Sequence, residues 1–148
     1  MDLTCSVDIN ASAEKIWSII TNIDNCANTI SGINSVEVLE RPASGVVGLK
    51  WKETRTMFGK QASETMWITE AVENEFYKTR AESHGMIYET KMAIASNGDS
   101  CELSMSFGGT PQTGMAKFMM FLTAKMMKKA TVKALTKDLN DIKTAAES

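Results

Sequence analysis

The chain has 148 residues, 43% hydrophobic and 23% charged, with a net charge of −2. That is the balance of a folded globular protein, sized for one domain that buries about 70% of the surface of its unfolded chain, and it excludes disordered and collagen-like classes. The charge is unevenly placed: from Thr113 onward seven lysines face only Asp138, Asp141 and Glu147, so this part carries +4 and the rest −6, and with Arg limited to positions 41, 55 and 80 no nucleic-acid partner is expected.

Leu3, Cys5, Val7 and Ile9 alternate with Thr4, Ser6, Asp8 and Asn10, the period of two of a strand with one buried face. Ser12 then stands as an N-cap, and Ile16, Trp17, Ile19, Ile20 and Ile23 supply a helical apolar stripe. A second short helix is expected over about residues 25–31. From Ile33 the pattern returns to strands, over residues 36–40, 47–57, 60–71, 76–83, 86–96 and 100–107. Their separators are turn-like: Phe58-Gly59, Glu73-Asn74, His84-Gly85 and Asn97-Gly98.

Two-residue turns pair residues on a common face, so the inward parity on one strand fixes it on the next. Starting from Trp51, one face holds Leu49, Glu53, Arg55, Met66, Ile68, Tyr77, Thr79, Ala81, Tyr88, Thr90, Met92, Ile94, Cys101, Leu103, Met105 and Phe107. The other face holds mostly Lys, Thr, Ser, Glu and Arg. Trp67, Phe76 and Ile87 are misfits, expected as a small external patch. Across the inward face a central row reads Trp51, Met66, Ala81, Tyr88, Phe107 and the next Leu49, Ile68, Thr79, Thr90, Met105.

After Gly108-Gly109-Thr110-Pro111 the Lys, Ala, Leu and Met content predicts one helix over residues 113–145, roughly 50 Å long at 1.5 Å per residue. The final Ala145-Ala146-Glu147-Ser148 is expected to fray. Met115, Phe118, Met119, Leu122 and Met126 form one apolar stripe on this helix, and Phe121, Val132, Leu135, Leu139 and Ile142 form another. One stripe can face the sheet and the other needs a second cover. That cover is a neighbouring element, a cavity gate, a weak homodimer contact or an anionic membrane surface touched transiently.

The order strand, two short helices, six strands and long helix resembles the START-like or SRPBCC superfamily, the helix-grip fold of the major birch pollen allergen. The segments SVDINASAEKIWSIITNIDNCANTISGINSVEVLE, GLKWKETRTMFGK and TMWITEAVENEFYKTRAES resemble its polyketide cyclase/dehydrase-like branch. The resemblance implies an α+β fold, a curved seven-stranded antiparallel sheet gripping the long helix around a ligand cavity. It also implies binding or transport of lipids, polyketides or similar apolar molecules, with cyclisation or dehydration in some members. It carries over no catalytic residue, metal ligand or cofactor.

The expected cavity wall is the inward sheet face, Trp51, Met66, Ile68, Thr79, Tyr88, Thr90, Met92, Met105 and Phe107, closed by Phe118, Met119, Leu122 and Met126 of the helix. The small or polar Thr79, Ala81 and Thr90 leave room, and the methionines, out of 11 in the chain, give an adaptable lining. Glu53, Arg55 and Glu64 are the sharpest polar signal. Pairing about Phe58-Gly59 sets Glu53 beside Glu64 with Arg55 one step away, so that Arg55 serves both carboxylates. The cluster is either a structural ion-pair network or an anchor for a ligand's polar end.

His84 falls at a turn without an orienting partner for base catalysis. Cys5 and Cys101 read as small core residues, and three cysteines without CxxC spacing indicate neither a disulfide framework nor zinc. No run of about 18 apolar residues and no apolar leader is present, so a cytoplasmic protein is expected. Three functions are expected as alternatives: a carrier or sensor of an apolar small molecule; a cyclase or dehydratase, as the resemblance implies, using Glu53, Glu64 or Tyr88; or an interaction module working through the helix patch.

Overall fold

A computed structural model of the chain describes residues 3–148. Seven strands form one antiparallel sheet: β1 Leu3–Ile9, β2 Ile33–Glu40, β3 Lys50–Met57, β4 Lys60–Val72, β5 Phe76–Ser83, β6 Met86–Asn97 and β7 Ser100–Pro111. Across the sheet they lie in the order β1-β7-β6-β5-β4-β3-β2. Helix α1, Ala13–Ile20, a 3-10 turn at Ile23–Asn25 and helix α2, Cys26–Thr29, carry the chain between the two edge strands, and α3, Gly114–Glu147, follows the last strand. This is the α+β helix-grip arrangement, with the helix predicted over about residues 25–31 shortened to the single α turn Cys26–Thr29.

Turn chemistry sets most of the register. Phe58-Gly59 and His84-Gly85 each place two successive residues at positive φ, 52° and 78°, 50° and 77°. That is the geometry whose twist matches a two-residue hairpin, and it pairs Trp51 with Met66 and Ala81 with Tyr88 as the parity argument requires. The β6–β7 turn differs. Asn97 pairs with Ser100, which puts Gly98 and Asp99 in the turn and slips the ladder by two residues. Such a slip leaves every side chain on its own face, but it seats Gly109 opposite Tyr88 and Phe107 opposite Thr90.

Two sequence expectations about chain breaks fail. The last predicted strand, 100–107, does not stop at Gly108: Gly108 to Pro111 extend β7, pairing with Glu89 through Met86. A Cβ on Gly109 would stand 3.1 Å from Met86 Cε and 3.3 Å from the Tyr88 ring, so glycine is there for close packing. The C-terminus is likewise tied down. Glu147 accepts a hydrogen bond from the Asn10 N–H at 2.8 Å and pairs with Lys143 at 2.9 Å, and Ala146 is buried. The predicted strand from Val47 begins at Lys50, with Val47 exposed in the preceding loop.

The Ser12 hydroxyl accepts from the Lys15 N–H at 3.2 Å, capping α1, and the stripe it starts buries Ile16, Trp17 and Ile20. A fully buried isoleucine such as Ile16 contributes roughly 1.5–3 kcal/mol relative to exposure. These residues meet Leu103, Ile94, Tyr77 and the C-terminal half of α3, where Leu135, Leu139, Ile142 and Ala146 are buried. Trp67 and Phe76 sit half-buried on the outer face, where Lys50 and Lys91 lie over their rings at 5.7 and 4.7 Å. The core therefore occupies the end of the sheet covered by α1, α2 and the end of α3. The first half of α3 buries no apolar side chain.

Candidate functional site

Between the concave sheet face and its helical cover lies a cavity of about 100 Å³. Its sheet wall is Trp51, Glu53, Arg55, Met66, Tyr77, Thr79, Thr90, Met92 and Met105. Its cover is Ile19, Ile20 and Ile23 at α1 and the 3-10 turn, Cys26, Thr29 and Ile30 at and after α2, and Asp138 and Ile142 of α3, with Ile33 at the start of β2 completing the sheet side.

The sheet wall is where inward parity puts it, and the cover is not. Phe118, Met119, Leu122 and Met126 are exposed and lie outside the cavity, because α3 docks through the Leu135, Leu139 and Ile142 stripe instead. Ile68 is packed solid in the core at 1% exposure. Tyr88 and Phe107 stack on each other, ring centres 5.7 Å apart, nearer the β5–β6 turn and beyond the cavity. The α1 isoleucines could have been read from the sequence, since Ile19, Ile20 and Ile23 extend the stripe past the face that Ile16 and Trp17 occupy.

One end of the cavity is charged. Arg55 Nε donates to Glu53 Oε2 at 2.7 Å, while Nη1 and Nη2 donate to Asp138 Oδ1 and Oδ2 at 3.2 and 2.8 Å. Such forked pairing orients as well as binds. Trp51 Nε1 donates to Glu53 Oε1 at 3.4 Å. The second carboxylate on Arg55 is thus Asp138, not Glu64. Glu64 does stand opposite Glu53 in the β3–β4 ladder, but no ion pair reaches it among the described residues. Asp138 had a visible signal, a lone carboxylate at helical spacing within the buried stripe Leu135, Leu139, Ile142.

Burial opposes the charge on Arg55, yet the Asp138 hydrogen bonds and the two carboxylates outweigh it and hold the guanidinium above its ordinary pKa. Burial also pushes the Asp138 carboxyl up, against the pull of Arg55. Glu64 is raised by burial and then by the Glu53 charge, and Tyr88 by burial and then by Glu64. The Cys26 thiol, buried beside the carboxylates, is pushed up to about 12 and stays protonated at neutral pH. Tyr77 is raised by burial, and its hydroxyl donates to the Ile20 carbonyl at 3.2 Å, tying α1 to the sheet. His84 lies exposed at its turn, beside the Ser83 hydroxyl.

The family described as polyketide cyclase / dehydrase and lipid transport matches residues 1–147. No curated protein matches the chain. Among solved structures, a START superfamily protein from Mycobacterium smegmatis superposes with a TM-score of 0.66 at 19% identity, covering 91% of this chain and 97% of that one. The Zhui aromatase/cyclase from a Streptomyces species gives 0.76 at 13% identity, covering 98% and 92%. Truncated norcoclaurine synthase from Thalictrum flavum gives 0.72 at 13% identity, covering 97% and 91%. At such identities the likeness is one of fold. With the family match running over nearly the whole chain and the START-like sheet and helix in place, the chain belongs to the polyketide cyclase / dehydrase and lipid transport family.

Proposed function

We propose that this chain binds a small apolar molecule whose neutral polar end meets the Glu53–Arg55–Asp138 cluster. The observation that carries the reading is an apolar cavity with that single charged end. Met66, Met92 and Met105 offer unbranched, polarizable walls that fit varied shapes. The cluster also selects. Its two carboxylates outnumber its one guanidinium, so a fatty acid or phosphate meets net repulsion. Arg55 has five N–H groups and uses three, and Glu53 Oε1 holds only the long Trp51 contact, so a hydroxyl or carbonyl finds both a donor and an acceptor. At about 100 Å³ the space takes one ring, below the 300–1,000 Å³ usual for ligand pockets, so a larger ligand extends past the cavity towards Tyr88 and Phe107.

Titration with the neutral probe N-phenyl-1-naphthylamine tests this. Saturable quenching of tryptophan emission is expected, weaker in Met66→Trp, while oleate competes poorly. Absence of saturable binding, or equal affinity in a Met66→Trp protein with an unchanged circular dichroism spectrum, would sink the reading.

A second reading, cyclase or dehydratase chemistry, is favoured by Glu64. It is an inward carboxylate whose pKa burial and the Glu53 charge raise above the ordinary glutamate value, the direction a general acid needs, with Tyr88 close enough to feel its charge. If it is the acid, an aromatic polyketide-like substrate incubated with the protein is recovered altered from wild type and intact from Glu64→Gln.

A further inference from the structure

The first half of α3 presents an apolar stripe that the fold does not cover. Met115, Phe118, Met119, Leu122 and Met126 are each between 53% and 78% exposed. Counting 100° per residue, this stripe lies about 150° around the helix from Leu135, Leu139 and Ile142, which hold α3 to the sheet. It therefore points away from the side on which α3 docks, and a swing of α3 towards the sheet without rotation about its own axis would leave it uncovered.

The same count puts Lys125 at one edge of the stripe and Lys129 and Lys133 on its own line just beyond Met126, and no acidic residue occurs from Gly114 to Lys137. An apolar strip that runs on into lysines, on a protein whose residues before Thr113 carry −6, has a definite electrostatic complement. A second copy packed stripe to stripe in parallel would set these lysines against lysines with no acid between Gly114 and Lys137 to pair them. No helix among the described residues is long and apolar enough to cross a membrane.

We propose that the outward face of α3 docks peripherally on an anionic lipid bilayer. Phe118 and Leu122 enter the acyl boundary, while the lysines reach the headgroups on their long stems. The −6 remainder is repelled by the same surface, which orients the molecule with α3 towards it.

Flotation of the full chain with vesicles tests the proposal. Recovery is expected with phosphatidylcholine mixed with phosphatidylserine, little with phosphatidylcholine alone, and loss in high salt. K125Q/K129Q/K133Q should lower partitioning by about a hundredfold, and F118S/L122S should abolish it. These side chains are exposed, so both variants should keep the wild-type melting temperature. The proposal is overturned by equal recovery on neutral vesicles, by variants that float like wild type, or by no recovery on either vesicle. A Phe118-dependent dimer in sedimentation without lipid would assign the face to a second copy instead.

Discussion

Arg55 is the residue on which the buried charge of this protein depends. Glu53 and Asp138 are only 12% and 4% exposed at their side chains, and among the described residues the guanidinium is the one cation that reaches both. Arg55→Ala leaves two carboxylates in a poorly solvated place, and a cost of about 3–5 kcal/mol is expected in urea unfolding. E53Q/R55M/D138N removes all three charges together and should cost much less. In Arg55→Ala the lost stability should partly return on acidification, because protonation removes the unpaired charge. Glu64 titrates in the same sense in the wild type. Its folded pKa is raised, so the native state takes up a proton that the unfolded chain would release. Its contribution is full below the ordinary glutamate value of 4.5 and is lost as pH rises through the higher folded value. Glu64→Gln should therefore be more stable than wild type at neutral pH, with the gap closing towards acid in melting curves.

At the scale of elements, α3 is one continuous helix with two unlike halves. From Leu135 to Ala146 it is held by buried apolar side chains, the Asp138–Arg55 pair and the Glu147 contact with Asn10. From Gly114 to Val132 it has its Thr113 cap, accepting from Ala116 N–H at 3.0 Å, and almost no burial. Local opening costs least where few apolar contacts are lost, so amide exchange should be faster across residues 118–130 than across 135–146. Uniformly slow exchange along the helix would contradict this division. The flexibility does not come from a glycine hinge. Gly108 and Gly109 are paired in β7, and Gly109 is held by the need to pass close to Tyr88.

For the whole molecule, binding only to the folded state must raise its stability. A ligand that fits the cavity and is present at about a hundred times its Kd adds about 2.7 kcal/mol, which for a chain of 148 residues is a rise of roughly 5–10 °C in Tm. The rise should disappear in Met66→Trp. Much of this architecture could be read before any coordinates. Alternation in β1, the Ser12 cap and the dipeptides Phe58-Gly59 and His84-Gly85 were legible because those signals act within a few residues, whereas at Glu73-Asn74 the turn takes in Glu75 as well and a bulge between Ile68 and Glu70 restores the inward parity. The sheet wall of the site followed from them, Glu53 and Arg55 included. The slip of β7 by two residues escaped the parity argument, which is blind to even shifts; it comes from the turn falling at Gly98-Asp99, with Gly98 at φ 74°, and it suits the close approach of Gly109 to Tyr88. Nor could the choice between the two apolar stripes of α3 be read. Met115 to Met126 and Leu135 to Ile142 are comparably hydrophobic in sequence, and which one docks is decided by α1, α2 and the Arg55 charge at one end of the sheet. Asp138 gained its partner through that docking, across 83 residues of chain, at a range no local pattern reports.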